Sequence, residues 1–195
     1  MNETDIIIPS CKPVNELVQL IKEIERKSSG NFQIILVSNP DFSASQNRNA
    51  GLLISTAPYV IMVDDDITGF YPAWNEILIW PLKTTPHISI VSARLVRKDG
   101  TPAPMMSSQY ALTADFEEVK KVPTACVAFR QTIIRFDENF KGSGFEDDAF
   151  CLAMGPQITI YNRVKLIHLN EMKHQQEHWE HNKRHFEETY ANRPV

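Results

Sequence analysis

The feature of this sequence that most constrains its fold is a short apolar run that ends in three consecutive carboxylates. Residues 59–63 read YVIMV, and Asp64, Asp65 and Asp66 follow directly. An apolar run of this length without polar alternation is typical of a strand that is buried on both faces of a sheet. The run therefore predicts a core strand of a parallel sheet, whose carboxyl end opens onto a polar edge.

The three aspartates indicate that a positive charge binds at this edge. Adjacent like charges repel, so three of them are costly unless a cation lies nearby. If the strand continues, Asp64 and Asp66 point to one side and Asp65 to the other. Two carboxylates on one side, at the carboxyl end of a buried strand, predict a seat for Mn²⁺ or Mg²⁺. The alternative is a polar loop in which the acids are solvated.

The residues before this run predict a βαβ unit. Residues 5–9 and 32–37 are apolar strands, and residues 13–27 carry apolar side chains at helical spacing. A strand, a helix and a strand in so short a span imply a right-handed crossover and a parallel sheet. The loop after the first strand, which holds Pro9 and Ser10, is then a candidate ligand contact.

The rest of the chain continues the alternation of helices and strands. The second half of residues 43–56 carries an apolar stripe and is predicted to be helical. The first half of this segment is polar and includes Arg48, so it could hold an anion or simply cap the helix. The later predicted elements are a helix at 72–82, a strand at 88–96, a turn at 98–100, a loop at 101–111, a strand at 121–130, two short strands within 157–169 and a polar helix at 174–191.

Length and composition indicate one ordinary globular domain. The chain has 195 residues, of which 43% are hydrophobic and 23% charged. A net charge of −4 gives no basic surface for nucleic acid. The sequence contains no apolar run that could cross a membrane and no signal-peptide pattern. Three cysteines without a CxxC pair are expected to be free, buried thiols, which favours a cytoplasmic location.

A second acidic cluster follows two glycines near residue 145. Gly142 and Gly144 allow the backbone to approach a ligand, and Glu146, Asp147 and Asp148 then open an amphipathic helix. Acids at a helix N-terminus interact well with the helix dipole, which is the alternative explanation for their presence. Three acids after two glycines exceed that need, and a carboxylate at this place suits a fixed general base.

These motifs occur in an order known from one enzyme class. RNAG at residues 48–51 is similar to an R-N-x-G motif, DDD at 64–66 to a D-x-D motif and KDG at 98–100 to the turn after the next strand. FDE at 136–138 with EDD at 146–148 is similar to F-D-E…E-D-D, and residues 160–168 with Asn182 and Phe186 to a closing strand, histidine and helix. Together they resemble compact GT-A glycosyltransferases of family 2, with a GSGFEDD loop similar to that of β-1,4-galactosyltransferases.

The resemblance implies a fold, an activity and a set of partners. The fold would be α/β, a GT-A (Rossmann-like) αβα sandwich with a mostly parallel central sheet, forming one catalytic domain over residues 1–195. The activity would be that of a metal-dependent, inverting glycosyltransferase of the hexosyltransferase type. Its partners would be a nucleotide diphosphate sugar, expected to be a UDP-sugar, a hydroxyl acceptor, and Mn²⁺ or Mg²⁺.

The resemblance also implies roles for particular residues. Asp147 would be the catalytic base, and Glu146 and Asp148 would orient the acceptor. The metal ligands would be Asp64, Asp66 and His168. The nucleotide would be contacted by Pro9, Ser10, Asn39, Arg48, Asp64 and Asp65.

Two departures from the family leave questions open. Relatives commonly carry an aspartate that contacts uracil after the second strand, and this chain has Ser38 and Asn39 there, so the base is not fixed. The chain also lacks the C-terminal extension of many relatives, so the acceptor site is expected to be open or completed by another subunit of a homo-oligomer.

Four histidines share one face of the last predicted helix by their spacing. They are expected to be plain surface or a second metal site, and they are His174, His178, His181 and His185.

Two other functions compete with transfer. Asp64, Asp66 and Thr68 also match the D-x-D-x-T signature of haloacid-dehalogenase-like phosphatases. In that fold the nucleophile strand comes first, whereas a complete βαβ unit precedes it here. The second alternative is a non-catalytic module that binds a sugar or a nucleotide, against which the two acidic clusters argue.

Overall fold

The computed structural model describes residues 2–103, 115–169 and 178–190. Within these residues the chain forms a sheet of eight strands and five helices. The strands are β1 (Thr4–Ser10), β2 (Phe32–Ser38), β3 (Tyr59–Val63), β4 (Ile67–Thr68), β5 (Ile90–Val96), β6 (Phe116–Val119), β7 (Cys126–Arg130) and β8 (Ile158–His168). The helices are α1 (Val14–Lys27), α2 (Ala44–Ile54), α3 (Trp74–Thr84), α4 (Glu146–Met154) and α5 (Trp179–Tyr190).

The sheet confirms the predicted α/β architecture. Its strand order is β2-β1-β3-β7-β5-β8-β4, and β6 pairs with β8. Strands β1, β2 and β3 are parallel neighbours, as are β5 and β8. Strand β7 runs antiparallel between β3 and β5, so five strands share one direction. The carboxyl ends of β1, β2 and β3 therefore meet at one edge, which we call the carboxyl edge.

Apolar runs place these strands in the core. Every residue of β1 is buried, and Val60 to Val63 of β3 are fully buried. Helix α2 packs against β1 and β2, and α3 packs against β5, β7 and β8. Helix α4 is attached through Phe150, whose ring stacks on that of Phe136 with centroids 4.0 Å apart. The interior is thus built from the runs that the sequence marks as buried.

Several predicted elements need correction. The predicted pair of strands at 157–169 is one strand, β8, whose pairing with β5 shifts between Ala93 and Arg94. The strand predicted at 121–130 begins only at Cys126, and β4 and β6 were not predicted. The last helix is described from Trp179, so His174 lies outside the described residues, as does most of the loop predicted at 101–111.

The cysteines and helices bear on two further expectations. All three cysteines are free. Cys126 and Cys151 are buried, but Cys11 is exposed because it lies in the loop after β1, so the prediction of three buried thiols is wrong for Cys11. None of the helices in the described residues has the length and apolar character that a membrane crossing requires.

Candidate active site

The carboxyl edge brings the two acidic clusters together through one arginine. Arg48, on α2, donates from Nη2 to both carboxylate oxygens of Asp64 at 3.2 Å. Its Nη1 lies 3.1 Å from Glu146 Oε1 and 3.7 Å from Asp147 Oδ1. The acids that end β3 and those that begin α4 are therefore separated by a single guanidinium group.

Burial makes this arginine a fixed charge. Arg48 is only 5% exposed, and its Cζ lies 5.3 Å from the ring centroid of Phe136. Burial alone would lower the pKa of Arg48, but the charges of Asp64, Asp147 and Glu146 outweigh it and raise that pKa. Burial also raises the pKa of Asp64, and it raises the pKa of Glu146 to about 7. The single positive charge of Arg48 is thus shared by the carboxyl groups of Asp64, Glu146 and Asp147 in a poorly solvated environment.

The remaining residues of the RNAG motif fix the position of α2. Asn49 pairs with the backbone of Phe136, accepting its N–H at 2.8 Å and donating to its carbonyl at 2.9 Å. Gly51 lies so close to β1 that a Cβ there would come within 2.3 Å of Ile7 Cγ2. Gln46 forms a capping box with Ser43, so the polar start of α2 caps the helix, and the whole of α2 is helical.

The three aspartates after β3 point to three different partners. The Ile67 N–H bonds to the Asp64 carbonyl at 3.2 Å, so residues 64–67 form a turn and the strand does not continue. Asp64 binds Arg48, Asp65 accepts from the Ser10 hydroxyl and from Lys12 Nζ, and Asp66 lies against His168. The alternation predicted for Asp64, Asp65 and Asp66 is wrong, because it holds only within an extended strand.

Three of the candidate nucleotide residues, Pro9, Ser10 and Asn39, lie together near Asp65. The Asn39 N–H donates to the Ser10 carbonyl at 3.1 Å, and Asn47 Nδ2 donates to the Asn39 carbonyl at 3.1 Å. Pro9 and Ser10 are the last residues of β1, and both are buried. Lys12, whose Nζ lies 2.7 Å from Asp65 Oδ1, was not predicted. Its position in the loop between β1 and α1 is the signal that could have identified it.

The chemistry of Asp66 and His168 fits a divalent metal ion. Asp66 Oδ1 is buried and receives no hydrogen bond from the described residues, and His168 Nε2 lies 3.5 Å from it. A carboxylate and an imidazole are both common metal ligands. The predicted third ligand, Asp64, is directed to Arg48. Among the residues that the structure describes, no three histidine, cysteine or acidic side chains already form a metal cluster.

The acids of α4 differ in their exposure and partners. Glu146 is 3% exposed, and its carboxylate accepts from Arg48 Nη1 and from the Gly144 N–H. The side chain of Asp147 is 27% exposed, and it accepts from the Thr124 hydroxyl. Asp148 pairs with Lys121, and burial raises its pKa. Asp147 is thus the member of this trio that both faces Arg48 and remains open to solvent.

Helix α5 holds the glycine loop that precedes α4. The side chain of Asn182 is fully buried; it accepts from the Lys141 N–H at 2.9 Å and donates to the Lys141 and Gly144 carbonyls at 2.8 and 3.1 Å. Trp179 packs on Phe145 with ring centroids 4.7 Å apart. These contacts connect the last helix to the start of α4.

The histidine face of α5 lies on the same loop. His185 Nε2 is 2.7 Å from Asp137 Oδ2, and His181 Nε2 is 3.3 Å from the Asn139 carbonyl. A Cβ on Gly142 would come 3.0 Å from His178 Cδ2, so His178 is also in contact with the loop. His185 therefore helps to dock α5, and the expectation of plain surface is wrong for it, whereas the exposed His181 fits that expectation.

Comparison with known proteins places this site in a family context. The model of the family described as Glycosyl transferase family 2 matches residues 5–146. No curated protein matches the chain by sequence.

Solved structures share the fold at low sequence identity. GalNAc-T7 with UDP, GalNAc and Mn²⁺ has a TM-score of 0.65 and 9% identity over 89% of this chain and 44% of that one. TarS from S. aureus has a TM-score of 0.63 and 14% identity over 100% of this chain and 40% of that one. A Drosophila β-1,4-galactosyltransferase 7 mutant with manganese, UDP-Gal and xylobiose has a TM-score of 0.58 and 14% identity over 94% and 80% of the two chains. The chain thus spans less than half the length of the first two.

Proposed function

Because this chain belongs to glycosyl transferase family 2, we propose that it transfers a sugar from a nucleotide diphosphate sugar to a hydroxyl acceptor. The observation that carries the proposal is the shared guanidinium of Arg48, which contacts Asp64 on one side and Glu146 and Asp147 on the other. A transferase needs a donor-binding group and a base close to one reacting carbon. This arrangement supplies both at the carboxyl edge.

The donor side is formed by the ends of β1, β2 and β3. Ligands of open α/β sheets bind outside the carboxyl ends of the strands. Pro9, Ser10, Asn39 and Asp65 line this position, and Lys12 adds a cation that can bind a diphosphate oxygen. A UDP-sugar is the donor that we propose, because two of the structural neighbours hold UDP or UDP-Gal.

A divalent cation would be held by Asp66 and His168, with Asp64 as the third candidate. Mn²⁺ is favoured over Mg²⁺ because an imidazole is among the ligands and two neighbours contain Mn²⁺ or manganese. Such an ion, when bound, offsets the negative charge that grows on the leaving diphosphate.

The acceptor side is formed by α4. Asp147 takes the proton from the acceptor hydroxyl while that oxygen attacks the anomeric carbon. Attack from the face opposite the leaving diphosphate inverts the configuration at that carbon. Asp148, with Lys121, contacts the acceptor. Glu146 was predicted to do so too, but its buried carboxylate is bound to Arg48, so we assign Glu146 to holding that arginine.

The family match favours transfer over the two alternatives. The phosphatase signature required Asp64 as a nucleophile, but Asp64 is bound through both oxygens to Arg48. Thr68 lies 3.3 Å from Glu23 Oε2. The binding-module alternative shares the donor site with the transferase, so a measurement of turnover separates the two.

Calorimetry of UDP binding with and without Mn²⁺ tests the donor site. We expect Asp66→Ala to abolish Mn²⁺-dependent UDP binding, because Asp66 carries a buried oxygen to which no described residue donates a hydrogen bond. We expect Asp65→Ala to weaken binding less, because Asp65 is paired with Lys12 and Ser10. Equal loss in both variants would contradict the assignment. Release of UDP from a UDP-sugar would then distinguish an enzyme from a binding module.

A further inference from the structure

The segment of residues 121–125, which leads into β7, contacts α4 along its length. Three of its residues bond to α4, in the pairs Lys121 with Asp148, Val122 with Cys151, and Thr124 with Asp147. Ala125, the next residue, accepts the Asp64 N–H at 2.8 Å. Strand β7 is antiparallel to β3, and Val63 pairs with Cys126, so this segment arrives where β3 ends. It therefore touches both acidic clusters.

The contact of Thr124 with Asp147 is specific to one carboxylate oxygen. Thr124 is fully buried, and its hydroxyl donates to Asp147 Oδ1. The same oxygen lies 3.7 Å from Arg48 Nη1. From the described residues, Oδ2 of Asp147 receives no hydrogen bond. One oxygen is thus held from inside the protein, while the other is left for a ligand.

We propose that Thr124 is a positioning residue, which holds Asp147 Oδ1 so that Oδ2 is presented to the acceptor hydroxyl. The proposal rests on the function proposed above for Asp147. Thr124 acts through the base and does not itself meet the substrate. Because Ala125 is bonded to the Asp64 backbone, the same segment also fixes the base relative to the donor side.

Several charged groups surround Asp147, so a substitution that removes a hydrogen bond to Asp147 without changing any charge is the clearest test. The groups that face Asp147 or its immediate partners are Arg48 from α2, Asp64 after β3, Glu146, Asp148 and Cys151 on α4, and Lys121 from the segment itself. Thr124, in contrast to these titratable groups, is a neutral hydroxyl that donates a hydrogen bond to Asp147. Replacing its hydroxyl with a methyl group changes the hydrogen bond and leaves every charge in place.

The experiment compares Thr124→Val with the wild-type protein. The readout is the pH profile of UDP release from UDP-galactose and UDP-N-acetylgalactosamine in the presence of Mn²⁺. We expect turnover to fall about tenfold. We also expect the acidic limb of the profile to move to higher pH, because a hydrogen bond to the charged carboxylate favours that form. UDP affinity should stay within about twofold, since the donor side is unchanged.

Two further variants separate positioning from general destabilisation. Thr124→Ser keeps the hydroxyl and should restore the wild-type profile. Thr4→Val is a matched control in β1, where a buried threonine hydroxyl has no hydrogen-bond partner among the described residues. It should leave the profile unchanged. A Thr124→Val protein with a lower melting temperature but an unshifted acidic limb would overturn the proposal.

The failure of this inference differs from the failure of the proposed function. If Asp147→Asn retains transfer, Asp147 is not the base and the proposed mechanism fails. If Asp147→Asn is inactive and Thr124→Val behaves as wild type, only the role of Thr124 is lost. Should none of the donors turn over, a crystal structure of Thr124→Val decides the matter, because we expect its Asp147 carboxylate to turn away from residue 124. An unmoved carboxylate would overturn the proposal.

Discussion

Arg48 is the residue on which the geometry of the candidate site depends. Its guanidinium is buried and shared by carboxylates from β3 and α4. Removing one partner of a buried ion pair leaves the other charge uncompensated, which typically costs about 3–5 kcal/mol. Its first task is therefore to hold two acidic segments together that would otherwise repel, whether or not it also approaches the nucleotide.

The role of Asp147 is testable with a substitution that keeps its shape. Asp147→Asn should lower the transfer rate by about 10²–10⁴-fold, because it removes a proton acceptor. UDP and metal affinity should change little. If Asp147 served only as an N-terminal acid of α4, activity would persist, since asparagine is also favoured near helix starts. The measurement is UDP release from a UDP-sugar, with UDP affinity determined in parallel. Wild-type turnover would make Asp148 the next candidate.

At the scale of elements, α5 is connected by polar contacts to the segment that leads into α4. Asp137, in the segment before the glycines, receives hydrogen bonds from His185, Asn139 and Tyr190. Burial alone would raise the pKa of Asp137, but these hydrogen bonds outweigh it and lower the pKa to about 2. The docking of α5 is therefore linked to the ionisation of one carboxylate.

This linkage predicts a loss of stability in acid. The pKa of Asp137 is lower in the folded protein than the ordinary value of about 3.9 in the unfolded chain, so its ionised form stabilises the fold above about pH 4. That contribution should disappear as the pH falls from about 4 to about 2. Urea unfolding between these pH values, compared for the wild type and Asp137→Asn, measures it. An identical loss of stability in both proteins would show that Asp137 makes no such contribution.

The elements also show where sequence patterns predict structure and where they do not. The first βαβα unit and β3 were predicted because each is a local apolar run or stripe. β4 is only two residues long, so it has no period to detect. Residues 162–163 are polar and divide the apolar pattern of β8 where its pairing with β5 shifts, so the sequence predicts two short strands in place of one. His185 docks α5 through a contact with Asp137, which is 48 positions away in sequence, so the polar pattern of this helix face resembled that of a solvated surface.

The site residues follow the same division. The acids of both clusters could be identified because their positions after a strand and at a helix start are local features. Thr124, the partner of Asp147, could not, because the two residues are 23 positions apart in sequence and no local pattern marks their contact. Lys12 could be identified only by its place in the loop after β1, since its contact with Asp65 spans 53 positions. The turn at residues 64–67 depends on where the sheet pairing ends, which a local pattern does not contain.

At the scale of the whole molecule, the described residues form one continuous sheet with one core. We therefore expect residues 1–195 to unfold as a single cooperative unit. Differential scanning calorimetry should give one transition whose calorimetric and van't Hoff enthalpies agree. UDP with Mn²⁺ should raise the temperature of that transition without splitting it. At a free ligand concentration a hundredfold above Kd, the expected gain in the free energy of unfolding is about 2.7 kcal/mol. Two resolved transitions would contradict the single-domain expectation.

The division of the candidate site between two separate stretches of the chain has a consequence for protein engineering. Every proposed donor-side residue except His168 lies before residue 69, and the proposed base, Asp147, and its hydrogen-bond partner, Thr124, lie after residue 120. At the site, the contacts between these two stretches include the pairs of Arg48 with Glu146 and Asp147, the hydrogen bonds of Asn49 with the Phe136 backbone, and the backbone bond from Asp64 to Ala125. We therefore expect a chimera joined between them to exchange acceptor preference between family members, provided that the second stretch carries carboxylates that pair with Arg48 and a histidine that faces Asp66.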